Sequence, residues 1–322
     1  MTTDTIFDFK EYLALRRGLI EGRLESYMQG HKRSLCFSYK TSSGEPKVLW
    51  DAMRYSVLSG GKRIRAILCL ASAEALSGIP ADERALPCAC ALELIHAMSL
   101  IHDDLPCLDN DDFRRGRPSN HKVYGEAMAL LAGDALLMQA SQLLIEESKD
   151  LAPASSVLDV VSALCQATGA DGMVGGQVDD LNYTGATDKQ LDENTLVSIH
   201  RRKTGALLSF ATWSGAKLAG ADDAMLSLFA KFGELLGMAF QITDDLLDTT
   251  GDMATLGKTP GKDEASNKLT FVRLFGIDGA KERLNEISKQ AKAVLGEIKA
   301  QGKSKDLRPL ESLFEYAINR VN

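Results

Sequence analysis

ALPCACALELIHAMSLIHDDL, residues 85–105, carries apolar side chains around nearly the whole circumference of a helix and, Glu93 apart, keeps its acids for the far end. A helix apolar on all sides belongs inside a bundle of other helices. Segments 125–147, 157–175, 204–220 and 225–249 read the same way, and runs in which Val, Ile, Thr and aromatics alternate with polar residues are missing. The spacing predicts an all-α protein, a single large helical bundle.

Working outward, residues 31–47, HKRSLCFSYKTSSGEPK, are polar with Gly-Pro punctuation and separate an N-terminal helix from the main body. No repeat and no Ser- or Pro-rich linker divides the remainder, so residues 1–322 are expected to form one domain, with 1–47 as the N-terminal helix and connector. The stretch 249–268, TTGDMATLGKTPGKDEASNK, is too rich in Gly, Thr and Lys to be helical throughout and reads as a mobile loop.

Thirty-seven basic against 44 acidic residues give a net charge of −7 over 322 residues, with 45% hydrophobic and 25% charged positions. That balance excludes a disordered or collagen-like chain and argues against a nucleic-acid partner, while leaving room for a small polyanion. The start, MTTDTIFDFK, has neither a signal peptide's basic n-region nor the acid-poor composition of a transit peptide. Apolar runs elsewhere are broken by Glu93, Asp103 and Asp244, so no stable membrane insertion is expected. The cysteines at 36, 69, 88, 90, 107 and 165 form no C-x-x-C pair and are read as reduced thiols.

Residues 102–118, HDDLPCLDNDDFRRGRP, gather Asp103, Asp104, Asp109, Asp111 and Asp112 directly before Arg114, Arg115 and Arg117. Pro106 should stop the preceding helix near Asp104. Two ionised aspartates would then lie at the negative end of a helix dipole, unfavourable by ~0.3–1 kcal/mol each. A solvated acidic turn is one explanation and a bound cation another. At 241–248, QITDDLLD, a helical turn puts Asp248 and Gln241 within about 60° of Asp244, on one face of an otherwise apolar helix. Carboxylates in so apolar a setting need a lysine or a metal. Oxygen donors without His or Cys select Mg2+ or Mn2+ over zinc, and Mg2+ completes its shell with water and phosphate oxygens.

Two clusters of the form DDLPCLD and DDLLD, each closing a long apolar helix, resemble the aspartate-rich motifs of the trans-isoprenyl diphosphate synthases, the polyprenyl synthetase family. GGKRIR at 60–65, His96, RRG at 114–116, GGQVDD at 175–180, KTG at 203–205 and LGK followed by Lys268 come in the family's order, so the resemblance covers about residues 50–320. It implies a deep cavity within the bundle, a homodimer, and addition of isopentenyl diphosphate to an allylic diphosphate. It also implies Mg2+, three ions with Mn2+ able to substitute, held by Asp103, Asp104, Asp109, Asp244 and Asp248.

By the same resemblance Arg114, Lys203 and Lys258 clamp the allylic diphosphate and Lys268 approaches it. Gly61, Lys62, Arg65, His96 and Arg115 hold the second diphosphate without metal, Gly60 and Gly61 favouring close phosphate approach. The Thr204 hydroxyl, the Gln241 side-chain oxygen and the Lys203 carbonyl would stabilise the carbocation, and the 249–268 loop would act as a lid. Gln177 and Asp180 look like the helix-borne residues that the family places near the metals. His102, His121 and His200 are read as structural, and Lys62, Arg63 and Arg65 taken alone would pass for a solvated basic turn.

Met98 and Ser99, one turn before Asp103, occupy the family's chain-length positions. Neither is aromatic, which points to the twenty-carbon product, geranylgeranyl diphosphate, with farnesyl diphosphate as the alternative. Other classes fit less well. GDMATLGKT at 251–259 misses the nucleotide-binding phosphate loop by one residue. A terpene cyclase would lack GGKRIR, and a non-catalytic subunit of a heteromeric synthase would tend to lose one acidic motif. The expected compartment is the cytoplasm, or the plastid stroma for a chain whose transit peptide has been removed.

Overall fold

The computed structural model describes residues 7–29, 46–184, 192–250 and 269–319, and these are helical almost throughout. In chain order the helices are α1 (Phe9–Met28), α2 (Lys47–Val57), α3 (Ile64–Ser77), α4 (Leu86–Asp103), α5 (Asn120–Tyr124), α6 (Glu126–Ser148), α7 (Ala154–Thr168), α8 (Met173–Tyr183) and α9 (Glu193–His200). A single π turn, Arg201–Gly205, runs without interruption into α10 (Ala206–Leu218), followed by α11 (Asp223–Thr250), α12 (Phe271–Ala300) and α13 (Arg308–Ile318). The connector 31–47 falls almost wholly outside the described residues, as does the loop after Thr250 with Lys258 and Lys268.

One apolar core runs from Tyr12 on α1 to Ala317 on α13, with Phe229, Phe232, Phe271 and Phe314 buried at its centre. Burial of each such side chain contributes roughly 1.5–3 kcal/mol. Helix α4 lies along α6 and α3, α10 along α3 and α11, and α11 along α12. Leu92, Leu94, Ile95, Met98 and Ile101 are all buried, as the opening stretch predicts for a central helix.

Two details depart from the sequence reading. The expected helix 157–175 stops at Thr168 and a new one starts at Met173. The backbone turns so sharply there that a Cβ on Gly172 would fall 2.1 Å from the Ala167 carbonyl oxygen. A short antiparallel hairpin also pairs Phe113–Arg114 with Arg117–Pro118. Its turn has positive φ at Arg115 (54°) and Gly116 (72°), the pattern that matches the twist of a two-residue hairpin.

Candidate active site

Helix α4 ends because Pro106 follows it, and its last carbonyls are then met by a returning loop. The Asp109 amide donates to the Asp103 carbonyl at 2.8 Å and the Asn110 amide to that of Leu105 at 3.1 Å. This return brings the third acid of the motif back to the first. Burial, with Asp109 and Asp104 adding to it, lifts the Asp103 carboxyl to about 6, while Lys203 and Arg114 pull the other way. Asp104 is 2% exposed and accepts from Arg114 Nε at 3.0 Å and from its Nη2, which also reaches Asp111 at 3.3 Å. Burial still holds Asp104 above the usual carboxylate range. In this structure, then, two residues expected to hold metal and phosphate close on each other.

The basic residues of GGKRIR and RRG, far apart in the chain, meet around a cavity of about 750 Å³. Lys62, Arg65, His96, Arg114, Arg115 and Asp244 line it, together with Leu100, Leu208 and Phe240. Arg115 reaches the wall by crossing Gly61, where a Cβ would lie 3.0 Å from the guanidinium carbon, and it donates to the Gly60 carbonyl. Lys62 Nζ stands 5.6 Å over the Tyr316 ring. Arg65 Nη1 is 3.5 Å from His96 Nε2, and Arg65 Nε is buried with no hydrogen-bond partner. Burial and the arginines at 65, 115, 63 and 114 depress the His96 pKa well below its ordinary value, so the imidazole is neutral at pH 7. A wall of cations with one unused donor is suited to an anion with many oxygens.

The third part of the site is the π turn, a helical irregularity common at functional positions. Lys203 donates from Nζ to Asp180 Oδ2 at 2.5 Å, and Thr204 Oγ1 donates to Gln241 Oε1 at 3.0 Å. Arg202 donates to Asp179 Oδ2 at 2.5 Å and to the Ala170 carbonyl at 2.7 Å. Helix α8 can lie this close only because residue 176 is glycine, whose Cβ would fall 2.2 Å from the Lys203 nitrogen. The GGQVDD segment is therefore a seat for KTG.

On α11, Phe240 and Asp244, one turn apart, face the cavity. Asp245 turns inward, accepting from the Phe271 amide at 2.8 Å and lying 3.9 Å from His200, which stacks on Phe271. Asp248 is buried. Among the described residues no three acidic, Cys or His side chains converge as a preformed cage. The donors nonetheless fit a magnesium ion, which needs only one or two carboxylates beside water and phosphate oxygens. Asp103, held near 6 by burial with Asp109 and Asp104 adding to it, is a carboxyl that a cation would relieve.

Some predicted residues stay apart from this cavity. Met98 is 3% exposed within the core, and the Ser99 hydroxyl donates to the His96 carbonyl at 3.0 Å; the cavity lining reaches Leu100 but includes neither, nor does it include Asp103, Asp104, Asp109, Lys203, Thr204, Gln241 or Asp248. The structural reading of three histidines fits their surroundings. His102 lies 3.2 Å from the Leu130 carbonyl, His121 lies 3.1 Å from Ser119 Oγ, and His200 packs as described. Cys69 and Cys88 are buried, each within hydrogen-bond reach of the Ser214 hydroxyl. Sequence reasoning missed Tyr316 and Arg17, which line the cavity from the two ends of the chain and carry no motif.

The fold is a helical bundle that gathers the basic side chains of separate segments around one cavity with Asp244. The family description "Polyprenyl synthetase" matches residues 46–303, and the chain belongs to that family. It is 41% identical over 320 residues to a geranylgeranyl diphosphate synthase of Cyanophora paradoxa, covering 99% of this chain and 98% of that one. It is 48% identical over 239 residues to a farnesyl diphosphate synthase of Geobacillus stearothermophilus, 74% of this chain and 79% of the relative. The crystal structure of a geranyltransferase from Legionella pneumophila superimposes with a TM-score of 0.79 at 30% identity, covering 98% of this chain and 97% of that one.

Proposed function

We propose that this chain is a Mg2+-dependent short-chain trans-prenyltransferase that joins isopentenyl diphosphate to an allylic diphosphate, with geranylgeranyl diphosphate as the main product. The observation that carries the reading is the single cavity in which Lys62, Arg65, His96, Arg114 and Arg115 meet Asp244. Isopentenyl diphosphate must not ionise, so a site of cations and a neutral imidazole donor suits its diphosphate. The allylic diphosphate must ionise. Asp103, Asp104 and Asp109 with Asp244 and Asp248 would hold divalent ions, which supply neutralisation of the departing pyrophosphate.

Around that chemistry the chain's own groups bind and orient. Lys203, fixed by Asp180, presents an ammonium to the allylic diphosphate, and Arg114 adds a guanidinium once it exchanges Asp104 for phosphate. Thr204 Oγ1 and Gln241 Oε1, aligned by their mutual hydrogen bond, offer lone pairs to the carbocation without a strong nucleophile to capture it. Leu100, Leu208 and Phe240 keep water from the reacting carbons. The proton is lost to the released pyrophosphate. Incubating the purified chain with labelled isopentenyl diphosphate and each of dimethylallyl, geranyl and farnesyl diphosphate, then separating the products, tests this. Accumulation of the fifteen-carbon product would favour the farnesyl alternative, and no product from any starter would refute the reading.

The homodimer rests on α6. Leu131, Met138 and Ile145, seven residues apart, form an exposed apolar stripe in which Met138 is 68% exposed. Helices α6 and α11 are both long and apolar enough to cross a bilayer, but α11 is mostly buried and α6 carries the exposed Asp134 mid-length. A second copy is a better cover for such a stripe than lipid. Light scattering should give twice the chain mass, and Met138→Glu should give monomers. One core joining α1 to α13 supports a single domain, and the compartment is read as cytoplasm or plastid stroma.

A further inference from the structure

Arg63, the middle basic residue of GGKRIR, touches the same cavity as its neighbours but is committed to protein partners. Its side chain and that of Glu93 are each 2% exposed, and Nη1 lies 3.1 Å from Glu93 Oε2. Nη2 donates to the carbonyl of Val57, the last residue of α2, at 2.8 Å, and Nε lies 3.6 Å from Glu21 on α1. One guanidinium thus ties α1, α2 and α4 together. Its own backbone is left-handed, with φ 53° and ψ 30°, immediately before α3. A non-glycine residue persists in that conformation only where its surroundings enforce it.

We propose that the buried Arg63–Glu93 pair is a positioning device for the isopentenyl diphosphate site: it fixes the 60–65 turn so that Lys62 and Arg65 converge with His96 on one anion. This rests on the reading of the cavity given above. Glu93 lies one helical turn before His96 on α4, so the anchor for the turn and the imidazole share one rigid element. Held by Arg63, Lys62 stands over Tyr316 and Arg65 beside His96. Buried ion pairs add little net stability relative to apolar residues of similar size, so stability alone does not account for this one. Directing two flanking cations does.

Three variants separate the possibilities: Glu93→Gln, the double variant Arg63→Met with Glu93→Leu, and Lys62→Ala. For each, thermal melting is measured, together with kcat and the KM for both substrates. Glu93→Gln should raise the KM for isopentenyl diphosphate about tenfold, with the allylic KM changed less than about twofold, the signature of one misplaced binding site. The apolar double variant should melt near the wild type while its KM for isopentenyl diphosphate stays high. An unchanged ratio of the two KM values in Glu93→Gln, or a double variant that recovers both melting and KM, would overturn the proposal. Failure of both variants to fold would assign the pair to folding alone and overturn it as well. Lys62→Ala guards the underlying reading. If it raises both KM values equally, the cavity is misassigned; if it is selective and Glu93→Gln is not, only the role of the pair falls.

Discussion

Lys203 Nζ and Asp180 Oδ2 lie 2.5 Å apart, joining the π turn to α8, and the same ammonium is the strongest favourable charge acting on Asp103. Three segments of separate motifs are thereby coupled through one cation. The lysine is held on Asp180 because α8 packs flush against the turn.

The raised Asp103 carboxyl predicts a pH-dependent stability. Its folded pKa of about 6 exceeds the unfolded value, so its contribution favours folding below about pH 4 and is lost as pH rises through 6. In protein freed of metal, Asp103→Asn should therefore melt higher than the wild type at pH 7.5, by an amount of order 1–3 kcal/mol, and much less so at pH 4.5. Adding Mg2+ to the wild type should close the gap. Calorimetry at the two pH values checks this, and a gap independent of pH would contradict it.

Asp103→Ala and Asp244→Ala should each reduce turnover by several orders of magnitude, with circular dichroism unchanged. EDTA should abolish turnover and excess Mg2+ or Mn2+ should restore it. Turnover that survives the chelator, or wild-type rates in either variant, would refute the metal roles.

Gly176→Ala inserts a methyl 2.2 Å from the Lys203 nitrogen. Overpacking of this kind costs roughly 1–3 kcal/mol and displaces the backbone. Here the displaced backbone carries Lys203 and Thr204, so kcat should fall at least tenfold in protein that still melts cooperatively. A variant losing stability but no turnover would separate α8 from the site.

Product length should respond to Ser99 more cleanly than to Met98. Met98 is packed in the core, where tyrosine would force repacking, whereas Ser99 is only half-buried and bonds its own helix. Ser99→Phe is expected to shift the product toward fifteen carbons, read by chromatography. An unchanged product would place the floor of the hydrocarbon path elsewhere.

The sequence alone located the central helices α4, α6, α10 and α11, because the apolar repeat that drives burial is local. The ends of α4, α6 and α11 fall within two residues of their predicted positions, and α4 stops where Pro106 requires. It also supplied the candidate residues of the site, since the clustered carboxylates and the GGKRIR and KTG segments are each contiguous in the chain. Tertiary structure decided which charge meets which. Arg114 closing on Asp104, Arg63 on Glu93 and Lys62 over Tyr316 join residues whose separation in the chain carries no periodic signal. Helical spacing singled out Asp244, on the face of Gln241 and Asp248, but said nothing of what Asp245 would meet. One faces the cavity and the other holds the Phe271 amide, because the packing of α12 and His200 against α11 sets which carboxylate is buried.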